Sequence, residues 1–550
     1  MRRGLLLLVS AVLVAMVSLA FLSACAKEST PQVFRTNISG EPATIDPNKA
    51  SFASEITIAK QLFRGLLGFN QDLSLKPVVA REIPSLSNGG ISDDGTTYTF
   101  KMRPGVTWSD GKRVTANDFE FGIKRMLSPE VASEYASFYF DIQGAEAYNG
   151  AGEKDEAAKK QLRDAVAVKA VDSTTLRITL AQPRPTFLSI MALWPAFATR
   201  EDVIAKHGDQ WTEAGNLIGN GPFILSEWVH QDHLTLKPNP NYWGDDKAKV
   251  DEVQIRMITD ANAALTAYKN NELDMVGVPA GTERATLADP TLSKEILRFN
   301  ELTTFAFQFN VTVPPFNNVK VRQAIATAID RDTYIDKVRG GVGKPALSWI
   351  PPGMPGYDAN LGQEYKFNVP RAKQLLAEAG YSDVSKLPAI KFQYADAANN
   401  RVVAQFLDAQ MKENLGITIT LEPMESRAFS QLINNEQETW ALLGWGADYP
   451  DPDNWLPELF GTGATINHTL YSNKQFDDIA TRAKKELDNA KRLQLWADAQ
   501  KIVISEAPIA TIFYRERFWL KKPAVTGLKH TSMDGAVPGD FFFAEVSLAK

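Results

Sequence analysis

Three aspartates crowd into one short run, Asp448, Asp451 and Asp453, with Pro450 and Pro452 between them. A calcium loop would need glycine at its sixth position and glutamate at its twelfth. Counted from Asp448, those positions hold Asp453 and Leu459, so the run is not a calcium loop. The five histidines are His207, His230, His233, His468 and His530. Only His230 and His233 lie close together, flanked by Trp228, Val229 and Leu234 in what reads as a strand or turn, and they are taken as surface histidines rather than metal ligands. Cys25 is the only cysteine, which excludes disulfides and thiolate metal sites from the body behind it. There is no G-x-S-x-G elbow, phosphate loop, dinucleotide fingerprint or H-E-x-x-H pair. Nothing singles out a carboxylate pair for glycoside hydrolysis. We expect no enzyme, no catalytic residue, no metal and no cofactor. The chemistry left to explain is binding.

Cys25 closes a segment of its own. The chain opens with Arg2 and Arg3, runs through apolar residues from Leu5 to Leu22, and continues with Ser23 and Ala24. A positive start, an apolar stretch and small residues at the end make a secretory signal. The run is also about long enough to span a bilayer, since roughly 20 apolar residues suffice, so an uncleaved anchor helix is the alternative. Leu22-Ser23-Ala24-Cys25 resembles the lipobox of bacterial lipoproteins, which implies cleavage before the cysteine and lipid on its thiol. Several acyl chains anchor stably where one binds only marginally. Residues 1–24 are thus expected to be a removed signal and residues 25–33 a lipidated tether. The expected location is extracytoplasmic, with membrane contact through the lipid alone.

No second apolar stretch of membrane length follows. Loss of Arg2 and Arg3 moves the formal charge from −6 to −8. A mildly acidic body does not suit nucleic acid or an anionic lipid surface. With 44% hydrophobic and 10% aromatic residues, the body is globular rather than disordered. It is long for one core, which points to two or three lobes. Residues 98–102 and 176–180 alternate as half-buried strands. Thr115-Ala116-Asn117-Asp118 resembles a capping box, opening a helix that reaches Met126. Asn220-Gly221-Pro222 is a turn before a strand at 223–225, and residues 370–379 read as a helix with Gly380 at its end. Residues 477–507 hold two amphipathic helices broken near Asp488-Asn489, and the polar stretch 150–162 reads as a surface insertion. The body is mixed α/β with no single dividing linker, so the chain is expected to cross between lobes more than once.

Six short motifs, in this order, resemble the family 5 extracytoplasmic solute-binding proteins, and among them the oligopeptide-binding proteins of ABC importers. They are Thr44-Ile45-Asp46-Pro47 with the later LFRGLL (62–67), RPGVTWSDGKRVTANDF (103–119), Asn220-Gly221-Pro222-Phe223, NPNYW (239–243), FNNVKVRQAIATAIDR (316–331) and GWGADYPDP (444–452). The resemblance covers nearly the whole body. It implies an α/β, bilobal periplasmic-binding-protein type II (Venus flytrap) fold with an extra third lobe. The implied boundaries are 34–63, 201–302 and 516–550 for lobe I, 64–200 for the extra lobe II, and 303–515 for lobe III. The implied partners are an oligopeptide ligand, closed upon by a hinge motion, and the membrane subunits of an ABC permease. The chain is expected to act as a monomer.

The resemblance also assigns residues. Asp448 falls where the family pairs an aspartate with the ligand's free α-amino group; a cleft closed to water makes an ammonium costly unless a carboxylate meets it. Trp445 matches a cleft-lining aromatic, Tyr135 a ligand-facing tyrosine, and Ala53 a backbone contact. Gly446 and Thr303 stand where enteric relatives carry two disulfide-bonded cysteines. Positions that meet the ligand's carboxylate in those relatives are changed. One arginine position holds Leu442 and another falls near Ile433; one histidine position holds Trp194 and another falls near Asn400; a lysine position holds Arg339. The amine end reads as retained and the carboxylate end as remodelled, with Arg401 or Arg427 as other cations for it. A nickel chelate, haem or an oligosaccharide remains open within the family, and a surface lipoprotein enzyme or chaperone outside it.

Overall fold

The computed structural model describes residues 31–464 and 466–549. Cys25, the signal segment and most of the tether lie outside the described residues. In the first half of the chain come β1 (Val33–Ile38), α1 (Ala53–Leu62), β2 (Leu67–Phe69), β3 (Leu75–Pro77), β4 (Thr97–Lys101), α2 (Ala116–Met126), β5 (Val168–Asp172), β6 (Thr175–Thr179), β7 (Phe223–Val229), β8 (His233–Pro238) and β9 (Glu252–Met257). Then follow β10 (Met275–Gly277), β11 (Ile296–Phe309), β12 (Lys344–Pro345), β13 (Ile390–Ala395), β14 (Ile419–Met424), β15 (Trp440–Gly446) and β16 (Ile509–Lys521).

The strands build separate sheets. One has the order β1-β9-β8-β7, a second β4-β6-β5, and a third, seven-stranded, β10-β16-β11-β15-β13-β14 with β12 beside β16. Strand β1 alternates half-buried and buried residues, as one covered sheet face requires. Strands β11 and β16 are much longer, with 14 and 13 residues, and are buried over most of their length. They pair antiparallel, Asn300 opposite Glu516 and then, after a register shift, Thr304 opposite Tyr514. Extra residues of this kind, two of them here on β11, bend and twist the strand that carries them. On one side of the shift β10 adds to β16 at Trp519–Lys521; on the other, β15 adds to β11 from Thr303 opposite Gly446 to Phe309 opposite Trp440.

The sequence punctuation places the helices well. Asp118 Oδ2 accepts from the Thr115 backbone N–H at 2.7 Å, closing the box that starts α2. A helix over Val369–Glu378 ends before Gly380, whose φ of +92° is left-handed. Asp488 caps the second of two helices, Lys474–Ala483 and Asn489–Glu506. The polar insertion is a surface helix, Glu156–Ala165, with no buried residue. Trp108, Trp349, Trp440, Trp455 and Trp496 are fully buried, so much of the tryptophan content is packing. His230 lies in the turn between β7 and β8, exposed, 2.8 Å from Glu41. Among the described residues no cluster of acidic, histidine or cysteine side chains is placed to hold a metal, and no helix is long and apolar enough to cross a membrane.

Motifs distant in sequence meet around α1. Asp46 accepts two hydrogen bonds from Arg125 at the end of α2, at 2.6 and 3.0 Å, and Asn48 takes a third. Asn220 clamps the backbone of Arg64, accepting from its N–H at 2.8 Å and donating to its carbonyl at 3.0 Å. Gly221 is needed there: a Cβ would stand 2.5 Å from the Gln61 carbonyl oxygen. The chain beyond α1 is thereby fixed in place.

Candidate ligand-binding site

Helix α1 forms one wall of a cavity of about 490 Å³. Ala53, Ile56 and Lys60 on the helix, and Phe63 just after it, line the cavity. Their spacing of three and four residues puts them on one helical face. The other face, including Ile58, Ala59 and Leu62, is buried in the core. At the start of α1 the Glu55 carboxylate accepts from the backbone N–H groups of Ser51 and Phe52, at 2.9 and 3.1 Å, and fixes the approach to Ala53. Trp194 lines the cavity near this end and donates its indole N–H to the Ala50 carbonyl at 2.7 Å. The Tyr135 ring packs edge-on to Trp194, with centroids 4.8 Å apart.

Asp448 reaches the same end of the cavity from the loop after β15. Asn454 holds this loop at three points. It accepts from the Asp448 N–H at 2.9 Å, donates to Asp448 Oδ2 at 3.1 Å, and takes the Trp445 indole N–H on its carbonyl at 2.9 Å. Tyr135 donates to Asp448 Oδ1 at 3.2 Å. Burial raises the Asp448 carboxyl above the ordinary range, partly opposed by its bonds from Asn454 and Tyr135. The same surroundings push the Tyr135 phenol far up, burial first and the Asp448 charge next, so it stays a donor.

The other two aspartates of the run do different work. Asp451 forms a two-point pair with Arg492 at 2.7 Å on each oxygen, both side chains buried. Asp453 pairs with Arg184 at 2.8 Å and accepts from Thr186 and Tyr449 at 3.1 and 3.0 Å. Among the described residues no cation pairs with Asp448. Of the three carboxylates, it alone faces the cavity without a counter-charge.

The residues singled out from the sequence therefore separate into two groups. Ala53, Tyr135, Trp194 and Asp448 come together on the cavity wall. Trp445, Gly446, Arg339 and Asn400 do not line it. Trp445 and Gly446 are opposite Thr304 and Thr303 in the β11–β15 ladder. Arg339 lies with its guanidinium 5.0 Å over the Phe513 ring, beside β16. Asn400 donates to the Ala395 carbonyl at 2.9 Å, on the helix Ala398–Leu415. Arg401 is paired with Asp396 at the surface.

The cavity has members that sequence reasoning did not single out, among them Lys60, Arg64, Lys76, Arg103, Trp243 and Arg517. Arg64, Arg103 and Trp243 stand inside the quoted motifs, so a signal for them was present. Lys60 pairs with the buried Asp540 at 3.4 Å and stands 3.5 Å over the Phe541 ring. Arg64 pairs with Asp246 at 3.1 Å and Arg517 with Glu301 at 3.1 Å. A partly aromatic cavity with fixed charges on its wall can hold a polar ligand.

Comparison with known proteins agrees with this geometry. The family described as "Bacterial extracellular solute-binding proteins, family 5 Middle" matches residues 75–467. The oligopeptide-binding protein OppA of Bacillus subtilis is 32% identical over 90% of this chain and 89% of its own. A probable deoxycholate-binding periplasmic protein of Escherichia coli, YgiS, is 31% identical over 96% of each. Among solved structures, the unliganded open form of the murein tripeptide-binding protein MppA superposes with a TM-score of 0.80, at 27% identity, over 94% of this chain and 98% of that one. Peptide-bound OppA of Listeria monocytogenes, also 27% identical and covering 95% and 100%, gives 0.70. The fold is the bilobal periplasmic-binding-protein type II fold. On the match over residues 75–467 and the likeness over nine-tenths of its length, the chain belongs to the bacterial extracellular solute-binding proteins of family 5.

Proposed function

We propose that this chain captures oligopeptides between its lobes and hands them to the permease of an ABC importer, without catalysing a reaction. The observation that carries this is Asp448. A half-buried carboxylate, aimed into a cavity and held by Tyr135 and Asn454, has no cation among the described residues. A free α-amino group supplies that cation, and the names of relatives such as OppA support a peptide as its bearer. Ala53, Trp194 and Tyr135 complete the amine end in this reading. Trp445, Gly446, Asn400 and Arg339 are carried by the half of the molecule built on β11–β16, and we assign them to the closed state. The register shift at Asn300 and Thr304 supports the lobe junctions expected at 302/303 and 515/516, with residues 64–200 as the extra lobe. A lipid on Cys25 would keep a monomeric carrier near its permease.

Thermal shift tests the reading, because a ligand that binds only the folded form raises Tm by mass action. Free-amine tri- to pentapeptides are expected to raise Tm, and their N-acetylated forms are not. Equal stabilisation by both forms would overturn the Asp448 role. A second reading has one observation in its favour: the relative named for deoxycholate binding. Stabilisation by deoxycholate, with none by any peptide, would move the assignment to a carboxylated amphiphile.

A further inference from the structure

Five cationic side chains line the cavity: Lys60, Arg64, Lys76, Arg103 and Arg517. Three are engaged, with Asp540, Asp246 and Glu301. The other two are not. Among the described residues neither Lys76 nor Arg103 has a carboxylate within ion-pair distance. Each is half-buried and stands over an aromatic ring, the Lys76 ammonium 4.9 Å from Phe542 and the Arg103 guanidinium 5.7 Å from Trp243. Burial lowers the Lys76 pKa, and the nearby Arg64 charge lowers it further. Both cations are anchored through the backbone: Lys76 lies opposite Gly68 in the β2–β3 hairpin, and Arg103 donates its N–H to the Val79 carbonyl.

Their position matters as much as their charge. Asp448 is joined through Tyr135 and Trp194 to Ala50, before the start of α1. Lys76 sits near Arg64, past the other end of the helix. From Ala53 to Arg64 the wall is roughly 16 Å long at about 1.5 Å per residue. An extended peptide of about four to five residues covers that distance at roughly 3.4 Å per residue.

We propose that Lys76 and Arg103 form an anion-binding pole that takes a ligand carboxylate at the end of the cavity opposite Asp448. This rests on the peptide reading above and adds to the end that the resemblance gave as remodelled. The cavity then selects ligands carrying an ammonium and a carboxylate about one α1 length apart. Asp246 and Glu545 are the acids whose charges reach Lys76 in the empty protein, neither within ion-pair distance.

Calorimetry on the full chain in detergent tests the pole. The probes are tetra- and penta-alanine with free ends, their C-terminal amides, and an amide whose last residue is glutamate. Amidation is expected to weaken binding roughly 10- to 100-fold, the range for a hydrogen bond to a charged group. In Lys76→Gln/Arg103→Gln that penalty should vanish, and in Lys76→Arg/Arg103→Lys it should persist, which separates charge from folding. The glutamate amide shows whether a side-chain carboxylate serves as well as a terminal one. Amides that bind the wild type as tightly as acids would overturn the pole and leave Asp448 standing. N-acetylated acids that bind tightly, and weaken in the double glutamine variant, would overturn the Asp448 role and leave the pole standing.

Discussion

The Tyr135 hydroxyl donates to Asp448 Oδ1 at 3.2 Å, across 313 residues of chain. This contact aims a carboxylate with no cation into the cavity while keeping the phenol neutral. Asp448→Asn keeps the shape and one of the two acceptor oxygens but removes the charge. We expect it to weaken free-amine peptides by about 1.5–3 kcal/mol, and to leave N-acetylated peptides unchanged. Calorimetric titration of both peptide types checks this, and an equal loss for both would rule out an ammonium partner.

The same carboxyl sets a pH dependence. Burial raises its pKa, so it takes a proton at a higher pH than an exposed aspartate. An ammonium ligand needs it charged. Affinity for a free-amine peptide is expected to hold at neutral pH and to fall on acidification, before the ordinary aspartate range is reached. For folding the sign is opposite. A raised folded-state pKa means the cost of burying the charge is fully present above that pKa and is relieved as pH falls through it. Asp534, pushed up to about 7 by burial and the adjacent Asp540, shifts stability in the same sense. Comparison of affinity-versus-pH curves for wild type and Asp448→Asn isolates the Asp448 part; a variant curve as steep as the wild-type one would refute it.

Thr303 and Gly446 are opposite each other in the antiparallel β11–β15 ladder, and a Cβ on Gly446 would stand 3.1 Å from Thr303 Oγ1. That spacing suits a disulfide. Thr303→Cys with Gly446→Cys is expected to oxidise spontaneously and to add about 2–4 kcal/mol of stability, read as a rise in Tm that reductant abolishes. Free thiols after air oxidation would show that the ladder differs in solution.

Arg184 joins Asp141 at 2.9 Å and Asp453 at 2.8 Å, all three largely buried. Removing one member of such a pair leaves a buried charge and typically costs about 3–5 kcal/mol. Arg184→Ala should lower the urea midpoint accordingly. Burial alone would raise the Asp453 pKa, but the Arg184 charge and its hydrogen bonds outweigh this and hold it low. Its contribution is therefore present at neutral pH and lost as pH falls through that lowered value. Unfolding at several pH values, with and without Arg184, measures it.

Much of this molecule was readable from local chemistry. Thr115 and Asp118, Gly380 and Asp488 mark helix ends because capping is satisfied within a few residues. Asp448 stood out because its motif could be set beside a family. The cation pole was not readable. Lys76 and Arg103 matter only because Asp540, Asp246 and Glu301 engage the neighbouring cations and leave these two unpaired. Such a difference appears only when partners hundreds of residues apart are in place. Trp445 and Gly446, by contrast, sit in the β15 ladder rather than on the cavity wall.

The striped face of α1 has a consequence for how such a cavity changes. Ala53, Ile56, Lys60 and Phe63 recur with the helical turn, and the opposite face is sealed into the core. One residue inserted into α1 would rotate everything beyond it by about 100°, turning Lys60 inward and a core side chain outward. Only whole turns, about 5.4 Å each, keep both faces in phase. The wall is a ruler graduated in helical turns, so fine adjustment of ligand length falls to the loops at its two ends.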